Sequence, residues 1–351
     1  MRELPVAGST FVIVSNGFAD GPAEALRPHL LTHGAELVID ISHPLVAEGP
    51  TEHRIVEYHQ SGREERRSID GRLRPPLSFA LDPLLPPIVA KSTGWFGFNC
   101  LATARGIAER RLGRTQRVVH WSVDFVPDRF GPGRLTQVYE AIDAFCCKRA
   151  DARVDLSGAA LEARDAAYGL TPDNSAPADV VPMGCWLDRT PVVADDAASR
   201  RRVVFLGHLV PRMGVLALLD AVELLLQRGT KLTLDIVGGG PLLDEVRERA
   251  AAIGGDIVTV HGFVEDHRDV EAILASGTVA AAPYTDDADS FTRWADPGKL
   301  KAYLGAGLPI VMTATPPIAP QLEAAGAAIL VQPGAASVAA GLERVLGDPL
   351  L

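Results

Sequence analysis

The chain has 351 residues, of which 47% are hydrophobic and 22% are charged, and its formal net charge is −10. This composition is typical of a folded protein rather than a disordered one, and the length suits two domains of roughly 150–200 residues each. The acidic balance argues against a general nucleic-acid binder, because such proteins usually carry a basic surface.

The first residues predict the opening of a doubly wound α/β sheet. Residues 11–16 form a predicted strand, residues 22–33 a helix and residues 36–41 a second strand. The loop after the first strand contains two glycines but lacks the G-x-G-x-x-G spacing of dinucleotide-binding proteins. Residues 48–78 are rich in Arg and Glu, which indicates a solvated connection around a short strand at residues 54–58.

The rest of the first half continues the alternation of strands and helices. Strands are predicted at residues 88–93, 118–125 and 150–157, and helices at 100–111 and 134–149. Asp124 and Arg129 lie at the end of the second of these strands, where open α/β sheets bind ligands, so both are candidate catalytic residues. The alternative is that Asp124 caps the next turn and pairs with Arg129. His120 lies inside the apolar strand, which favours a hydrogen-bonded core residue over a catalyst.

The second half repeats the pattern of the first. Apolar segments that begin near residues 203, 232, 258 and 310 predict strands, and residues 216–227 predict an amphipathic helix between the first two. The predicted organisation is therefore a first domain at 1–190, a linker at 191–200 and a second domain at 201–351.

Residues 295–309 contain the most informative helix of the second half. Asp296 suits the N-cap and Pro297 suits the first helical position. The start of a helix presents free N–H groups and a positive dipole end, and Lys299 adds a full charge in the first turn. Together with Gly298, these residues predict a site for an anion such as a diphosphate. The alternative is an ordinary crossover helix whose lysine is solvated.

The order of these segments resembles the GT-B glycosyltransferases, in particular the large retaining family that uses nucleotide sugars. The resemblance is strong over residues 201–334 and rests on the glycine loops at 207–214 and 238–240, on 262–264 and on the Ala-Asp-Pro-Gly-Lys helix start. It implies an α/β protein with two Rossmann-like, doubly wound domains that face each other across a cleft. The donor would bind to the second domain and the acceptor to the first.

The resemblance also implies roles for individual residues. Those expected to hold the donor diphosphate and sugar are Lys299, Arg212, His208, Gly298, Asp296 and Ser290. Those expected to meet the nucleoside are Gly240, Phe263 and Val264, and those expected on the acceptor side are Asn16 and Gly17.

Several positions depart from the family pattern. His208 and Met213 stand where relatives usually place an arginine and a lysine, and Ala302 stands where they carry a ribose-binding glutamate. Relatives also carry a cleft histidine after an earlier strand of the first domain, and this chain has residues 92–94 there without one. These departures keep open a non-catalytic nucleotide-sugar-binding subunit, and a sugar-nucleotide epimerase is a further alternative because that class can share the fold.

The predicted function is transfer of a sugar from a nucleotide-sugar donor to a glycan, lipid or natural-product acceptor, with retention of configuration. No metal or other cofactor is expected, because Lys299 and the helix start supply positive charge. Asp287-x-Asp289 is therefore interpreted as a solvated turn rather than a metal site. No transmembrane segment or signal pattern is visible, although peripheral membrane contact stays open. The four cysteines lack metal spacing, which favours reduced thiols in a cytoplasmic protein.

Overall fold

The computed structural model describes residues 5–17, 21–45, 51–87, 90–188, 190–191, 201–286 and 291–347. The chain forms two compact units, Met1–Pro182 and Met183–Leu351. The division between them falls before the predicted linker at 191–200, and residues 192–200 lie outside the described residues. Each unit is described by itself below.

The first unit is built on an eight-stranded sheet with helices between most of its parallel strands. Its strands are β1 Thr10–Asn16, β2 Leu37–His43, β3 Glu52–His59, β4 Glu64–Asp70, β5 Ser92–Gly97, β6 Thr115–Ser122, β7 Ala152–Asp155 and β8 Ala178–Val180. Its helices are α1 Pro22–Thr32, α2 Cys100–Arg111, α3 Arg134–Arg149 and α4 Gly158–Tyr168. The strand order is β4-β3-β2-β1-β5-β6-β7-β8. All pairings are parallel except β2–β3 and β3–β4.

The position of β1 in the middle of this sheet follows from its composition. Residues 11–14 are all buried, as expected for a parallel strand that is covered on both faces. Alternate residues point to opposite faces, so Val12 and Val14 pack with Trp95, whereas Phe11 and Ile13 pack with Leu30 of α1. The first unit therefore has one apolar cluster on each side of its sheet.

Two parts of the first unit differ from the sequence predictions. The interpretation of residues 48–78 as a solvated connection is wrong in part, because β3 and β4 form an antiparallel hairpin that extends the sheet from β2. The signal was hidden because β4 is an edge strand made largely of exposed charged residues, which is how sheet edges avoid aggregation. The strand predicted at 88–93 instead runs over Ser92–Gly97, and residues 88–89 lie outside the described part of the chain.

The second unit is built on a six-stranded parallel sheet. Its strands are β9 Arg202–Leu206, β10 Thr233–Val237, β11 Val258–Gly262, β12 Val279–Ala282, β13 Ile310–Thr313 and β14 Ala328–Val331. Its helices are α5 Val215–Gln227, α6 Leu243–Ile253, α7 His267–Ala275, α8 Gly298–Gly305, α9 Ala319–Ala324 and α10 Ala335–Gly347. The strand order is β11-β10-β9-β12-β13-β14.

The second unit also has an apolar cluster on each side of its sheet. One joins β9 and β10 to α5 and α10 through residues such as Phe205, Leu218 and Leu342, and the other joins β12 and β13 to α8 through residues such as Leu300 and Tyr303. The predicted α/β class with two Rossmann-like, doubly wound parts is confirmed. Among the described helices, none combines the length and the apolar content needed to cross a membrane.

Candidate functional site

The strand order of the second unit creates a topological switch point between β9 and β12. The chain passes from β9 to β10 on one side of the sheet, whereas β12 pairs with β9 on the other side. Loops that leave such neighbouring strands in opposite directions open a crevice at their carboxyl ends, where α/β proteins bind ligands. We call the carboxyl ends of these two central strands the β9–β12 edge and define it by Gly207, His208, Arg212, Tyr284 and Lys299.

Lys299 is the central residue of the β9–β12 edge. Its Nζ is buried and has no hydrogen-bond partner among the described residues, although the residue as a whole is only half-buried. The ammonium lies 4.5 Å from the ring centroid of Phe205 and 4.9 Å from that of Tyr284. Aromatic faces attract a cation but do not accept its hydrogens as an oxygen would. The group is therefore held over two rings, and no described residue accepts a hydrogen bond from it.

Burial also changes the charge state of Lys299. Desolvation, and after it the positive charge of Arg212, lowers the pKa of Lys299 to about 7. A pKa that is depressed by burial and by a like charge is typical of functional sites, because structural lysines normally reach water or a carboxylate. A bound diphosphate would offset both effects on the pKa by placing negative charge at hydrogen-bonding distance.

Glycines allow the loops of this edge to approach the lysine. A Cβ at Gly207 would lie 2.8 Å from Lys299 Nζ, and the residue has a φ of +151°. Gly238 packs even more closely, because a Cβ there would lie 1.9 Å from the carbonyl oxygen of Gly207. The loops after β9 and β10 are also joined by a hydrogen bond from Leu209 N–H to Gly239 O, 2.8 Å long. Backbone rather than side chains therefore lines this part of the edge.

Arg212 and His208 lie in the loop that follows β9, as predicted. The Arg212 guanidinium carbon lies 4.5 Å from the ring centroid of Phe291. His208 as a whole is exposed to solvent, but its ring is partly desolvated by its neighbours. This desolvation, and after it the charge of Arg212, lowers the pKa of His208, so the ring is neutral at pH 7. Met213 is half-buried against both apolar clusters of the second unit, so the position at which relatives have a lysine is used here for packing.

The start of α8 differs from the prediction in one respect. The expectation that Asp296 caps the helix is wrong, since the N-cap is Pro297 and no side chain caps the helix start. Asp296 is buried instead, where it accepts a hydrogen bond from Met183 N–H at 2.7 Å and pairs with Lys301 Nζ at 3.0 Å. Proline in extended geometry displaces the start by one residue, so that Gly298 is the first residue of the helix. A Cβ at Gly298 would lie 3.0 Å from the Met183 methyl group.

Tyr303 is a positioning residue, although the sequence alone indicated only an apolar side chain. Its hydroxyl accepts a hydrogen bond from Leu206 N–H at 2.7 Å and lies 3.2 Å from Ala281 O. The side chain thereby fixes α8 to β9 and β12, the two strands of the switch point. Lys299 is one helical turn earlier on α8, so this contact also fixes the position of the lysine. A buried tyrosine usually has a hydrogen-bond partner for its hydroxyl, and this rule could have indicated the positioning role from the sequence.

The residues expected to meet the nucleoside lie at the neighbouring strand ends. Gly240 has a φ of +150°, and a Cβ there would lie 2.7 Å from both a ring carbon of His208 and the carbonyl oxygen of Leu209. Phe263 directly follows β11 and is 75% exposed, which makes it the most exposed aromatic residue of the described chain. Its Cβ would lie 3.5 Å from a Cβ at Gly239. Val264 is half-buried beside it.

Ala302 and Ser290 were also singled out in the sequence, and the structure describes only the first of them. Ala302 is half-buried and packs against the apolar cluster of β12, β13 and α8. Ser290 lies outside the described residues, as do Asp287 and Asp289. The predicted roles of these residues stay predictions.

The first unit has its own switch point, between β1 and β5. Asn16, at the end of β1, accepts a hydrogen bond from Asn99 Nδ2 at 2.5 Å and donates one to Asp82 at 2.8 Å. Asn99 also caps α2 through Ala102 N–H. Residues 92–94, the place at which the sequence analysis noted a missing histidine, lie inside β5, and Asn99 stands just beyond the end of that strand. Gly17 follows Asn16 with a φ of +100°, and its N–H bonds His43 O.

The two candidate catalytic residues of the first unit are exposed in the loop after β6. The Asp124 carbonyl oxygen accepts hydrogen bonds from Ser122 and Arg164, and the Arg129 guanidinium lies 5.7 Å from the Tyr139 ring centroid. Their catalytic role stays a prediction.

The interpretation of His120 as a satisfied core residue is confirmed. Its Nδ1 lies 2.8 Å from Thr103 Oγ1 and its Nε2 lies 3.0 Å from Asp143 Oδ1. Burial opposes the charged ring, but the hydrogen bond to Asp143 and the neighbouring Cys147 raise the pKa of His120 to about 9. Asp143 is in turn bonded to Arg164, so this buried network is complete.

Comparison with known proteins agrees with this architecture. Residues 200–348 match the family model described as "Glycosyl transferases group 1". A search of curated proteins found no match. Among solved structures, sucrose-phosphate synthase from Thermosynechococcus elongatus is 16% identical, with a TM-score of 0.68 over 97% of this chain and 90% of that one. The α,α-trehalose 6-phosphate synthase from Burkholderia multivorans is 15% identical, with a TM-score of 0.63 over 98% and 90% of the two chains.

HepE from Anabaena, solved in complex with UDP, is 14% identical, with a TM-score of 0.61 over 97% of this chain and 90% of that one. Identities of this size show the fold and no more. The predicted resemblance is therefore confirmed by two separate findings, the fold of the whole chain and the family match of its second unit. The chain has the GT-B fold, and the match over residues 200–348 to a family of glycosyl transferases confirms the predicted enzyme class, glycosyltransferase.

Proposed function

We propose that the protein transfers a sugar from a nucleotide-sugar donor to a hydroxyl-bearing acceptor, with the donor diphosphate bound at the β9–β12 edge. The observation that carries this proposal is the buried Nζ of Lys299, which has no hydrogen-bond partner in the described chain. A buried cation without a partner is costly unless a ligand neutralises it. A diphosphate has the charge and the acceptor oxygens to do so.

The chemistry that follows uses this charge in the transition state. The bond between the anomeric carbon of the sugar and the diphosphate oxygen breaks, and its electron pair passes to the diphosphate. The acceptor hydroxyl oxygen bonds to the same carbon and its proton passes to the leaving diphosphate. Lys299, Arg212 and the N–H groups at the start of α8 stabilise the negative charge that develops on the leaving group. Stabilisation of this kind needs no movement of the protein during the reaction.

The finer parts of the proposal rest on the sequence resemblance and on fewer contacts. Retention of configuration and a cytoplasmic location are proposed on that basis, and all four cysteines are free, which agrees with a reducing compartment. No metal is assigned to the donor, because Lys299 and Arg212 supply positive charge there. On the acceptor side, Asn16 and Gly17 stand at the switch point of the first unit, where a ligand of an α/β sheet is expected.

The proposal is tested by incubating the protein with a panel of UDP-, GDP-, ADP- and dTDP-sugars, with and without candidate acceptors. A glycosyltransferase should release nucleoside diphosphate faster when an acceptor is present. Conversion of the sugar without an acceptor would instead indicate an epimerase. Binding of a nucleotide with no turnover under any condition would indicate a non-catalytic subunit.

A further inference from the structure

The search for sites outside the β9–β12 edge leads to a cluster of two histidines and an aspartate in the first unit. His43 ends β2, His53 lies on β3, and Asp82 follows the short helical turn at Leu77–Ala80. The antiparallel register that pairs Ser42 with Arg54 places the two histidines side by side at the next position. All three side chains are fully buried, at 0%, 0% and 1% exposure. We call them the His43–His53–Asp82 cluster.

The donor atoms of this cluster face one another. The two Nδ1 atoms are 2.8 Å apart, and each lies 3.8 Å from Asp82 Oδ1. A triangle with sides of these lengths has a point in its plane about 2.0 Å from every corner, which is the length of a bond from zinc to a histidine nitrogen or a carboxylate oxygen. The three atoms thus surround one position at coordination distance.

Hydrogen bonding alone leaves this arrangement incomplete. One hydrogen can be shared between the two Nδ1 atoms, but Asp82 Oδ1 then has no donor among the described residues. A cation would bind all three atoms at once. A cation on both Nδ1 atoms leaves the hydrogen of each ring on Nε2, and neither Nε2 has a hydrogen-bond partner in the same part of the chain.

The surroundings also support a ligand role for Asp82. Its second oxygen, Oδ2, accepts a hydrogen bond from Asn16 Nδ2 at 2.8 Å, and Asn16 is itself held by Asn99 and by Pro44 O. An outer partner of this kind fixes the direction of a ligating carboxylate. The other buried His–Asp group, at His120 and Asp143, differs because its ring nitrogens and carboxylate oxygens all have hydrogen-bond partners.

We infer that the His43–His53–Asp82 cluster binds one divalent transition-metal ion, with Zn²⁺ as the best match to two imidazoles and a carboxylate. The ion would join β2, β3 and the segment that carries Asp82, and through Asp82 it would fix Asn16 at the end of β1. This site is separate from the donor site of the proposed function, and neither depends on the other.

The test uses the full chain, stripped with a chelator and then dialysed against Zn²⁺ and against zinc-free buffer. The wild type should retain one zinc per chain by elemental analysis, and its Tm should rise when the ion is bound, because the ion binds only the folded state. His53→Gln and Asp82→Asn should each lose the retained zinc.

Matched controls separate this site from adventitious binding. His33→Gln removes an exposed histidine whose ring centroid lies 4.1 Å from that of His29, a surface pair able to hold zinc weakly, and should leave one zinc per chain. His120→Gln alters the other buried His–Asp group and should also keep the ion. The proposal is overturned if the wild type, after stripping and dialysis against Zn²⁺, retains no zinc and shows no rise in Tm. This outcome does not depend on the folding of any variant. Loss of the zinc in His33→Gln, with retention in His53→Gln, would overturn it as well.

Discussion

Arg164 of the first unit and Lys299 of the second unit carry buried cationic groups in opposite environments. In the first unit, Arg164 is fully buried and bonds Asp143, Asp155 and the hydroxyl of Ser122. In the second unit, the buried Nζ of Lys299 has no hydrogen-bond partner among the described residues and lies near the rings of Phe205 and Tyr284. Burial of a charge is costly in both places, but of these two groups only Arg164 is bonded to carboxylates of the described chain.

The difference teaches how a structural charge is distinguished from a functional one. A paired charge stabilises the arrangement of strands and helices around it, and its removal leaves carboxylates uncompensated. An unpaired cation does not contribute to stability in this way, which is why we propose a ligand for Lys299. The two residues should therefore respond oppositely in measurements of stability and of nucleotide binding.

The largest effect is expected from Arg164→Met. Removing one partner of a buried network leaves Asp155 without its bonded cation and Asp143 with His120 alone, which should lower the free energy of unfolding by about 3–5 kcal/mol. Urea unfolding, followed by circular dichroism, measures the change. Lys299→Met is the matched variant and should leave the unfolding free energy equal or higher. A loss below about 1 kcal/mol in Arg164→Met would mean that the network contributes little.

A second prediction concerns the pH dependence of donor binding. The pKa of Lys299 is lowered to about 7 in the free protein, and a bound diphosphate should raise it again. Affinity for a UDP-sugar should therefore be highest below pH 7 and fall as the pH rises above 7, by up to about tenfold per unit. Calorimetry at several pH values measures this fall. A UDP-sugar is preferred to UDP because its diphosphate does not titrate in this range.

Lys299→Met supplies the control for the pH profile. Its affinity should be low and should not change between pH 7 and pH 9. A wild-type profile that stays flat over the same range would contradict the burial of the ammonium at the binding site.

A smaller effect is expected at Phe263. Its 75% exposed ring lies next to the glycine turn after β10, so it is placed to stack on a nucleobase. Phe263→Ala should weaken UDP binding by about 1 kcal/mol, roughly fivefold, at the low end of measured stacking energies. Phe145→Ala removes a partly exposed ring of the first unit and should have no effect on UDP. Equal affinities in Phe263→Ala and wild type would remove Phe263 from the site.

The smallest effect is expected from metal ions. Because Lys299 and Arg212 supply charge at the β9–β12 edge, added Mg²⁺ or Mn²⁺ should change the affinity for UDP by less than about twofold. Titration of UDP into the protein, with and without each ion, gives the comparison. A gain in affinity of tenfold or more would indicate that a metal ion takes part in donor binding, with Asp287 and Asp289 as the candidate ligands.

Much of the fold was predictable because apolar runs of parallel strands are read directly from the sequence. The elements around β1 and β9 and the position of α8 follow from such runs, and Lys299 follows from the glycine and proline before it. The pairing of strands with one another could not be predicted in the same way. His43 and His53 meet only through the register of β2 and β3, and β3–β4 was hidden by an edge strand of charged residues.

Side-chain partners were equally hard to predict. Asp296 has the right residue type and place for an N-cap, but its carboxylate binds Met183 N–H and Lys301 instead. The hydroxyl of Tyr303 bonds the backbone of β9, which no spacing along the chain indicates. Contacts between residues far apart in sequence decide such details, whereas local patterns decide the elements.

The most direct test of the central claim is a calorimetric titration of UDP into Lys299→Met and into wild type. Lys231→Met, which removes an exposed lysine before the amino end of β10, is the control and should bind as wild type does. Lys299→Met should bind at least tenfold more weakly, a loss of about 1.4 kcal/mol or more, while keeping its stability. Unchanged affinity in a folded Lys299→Met protein would contradict the assignment of the donor site to the β9–β12 edge.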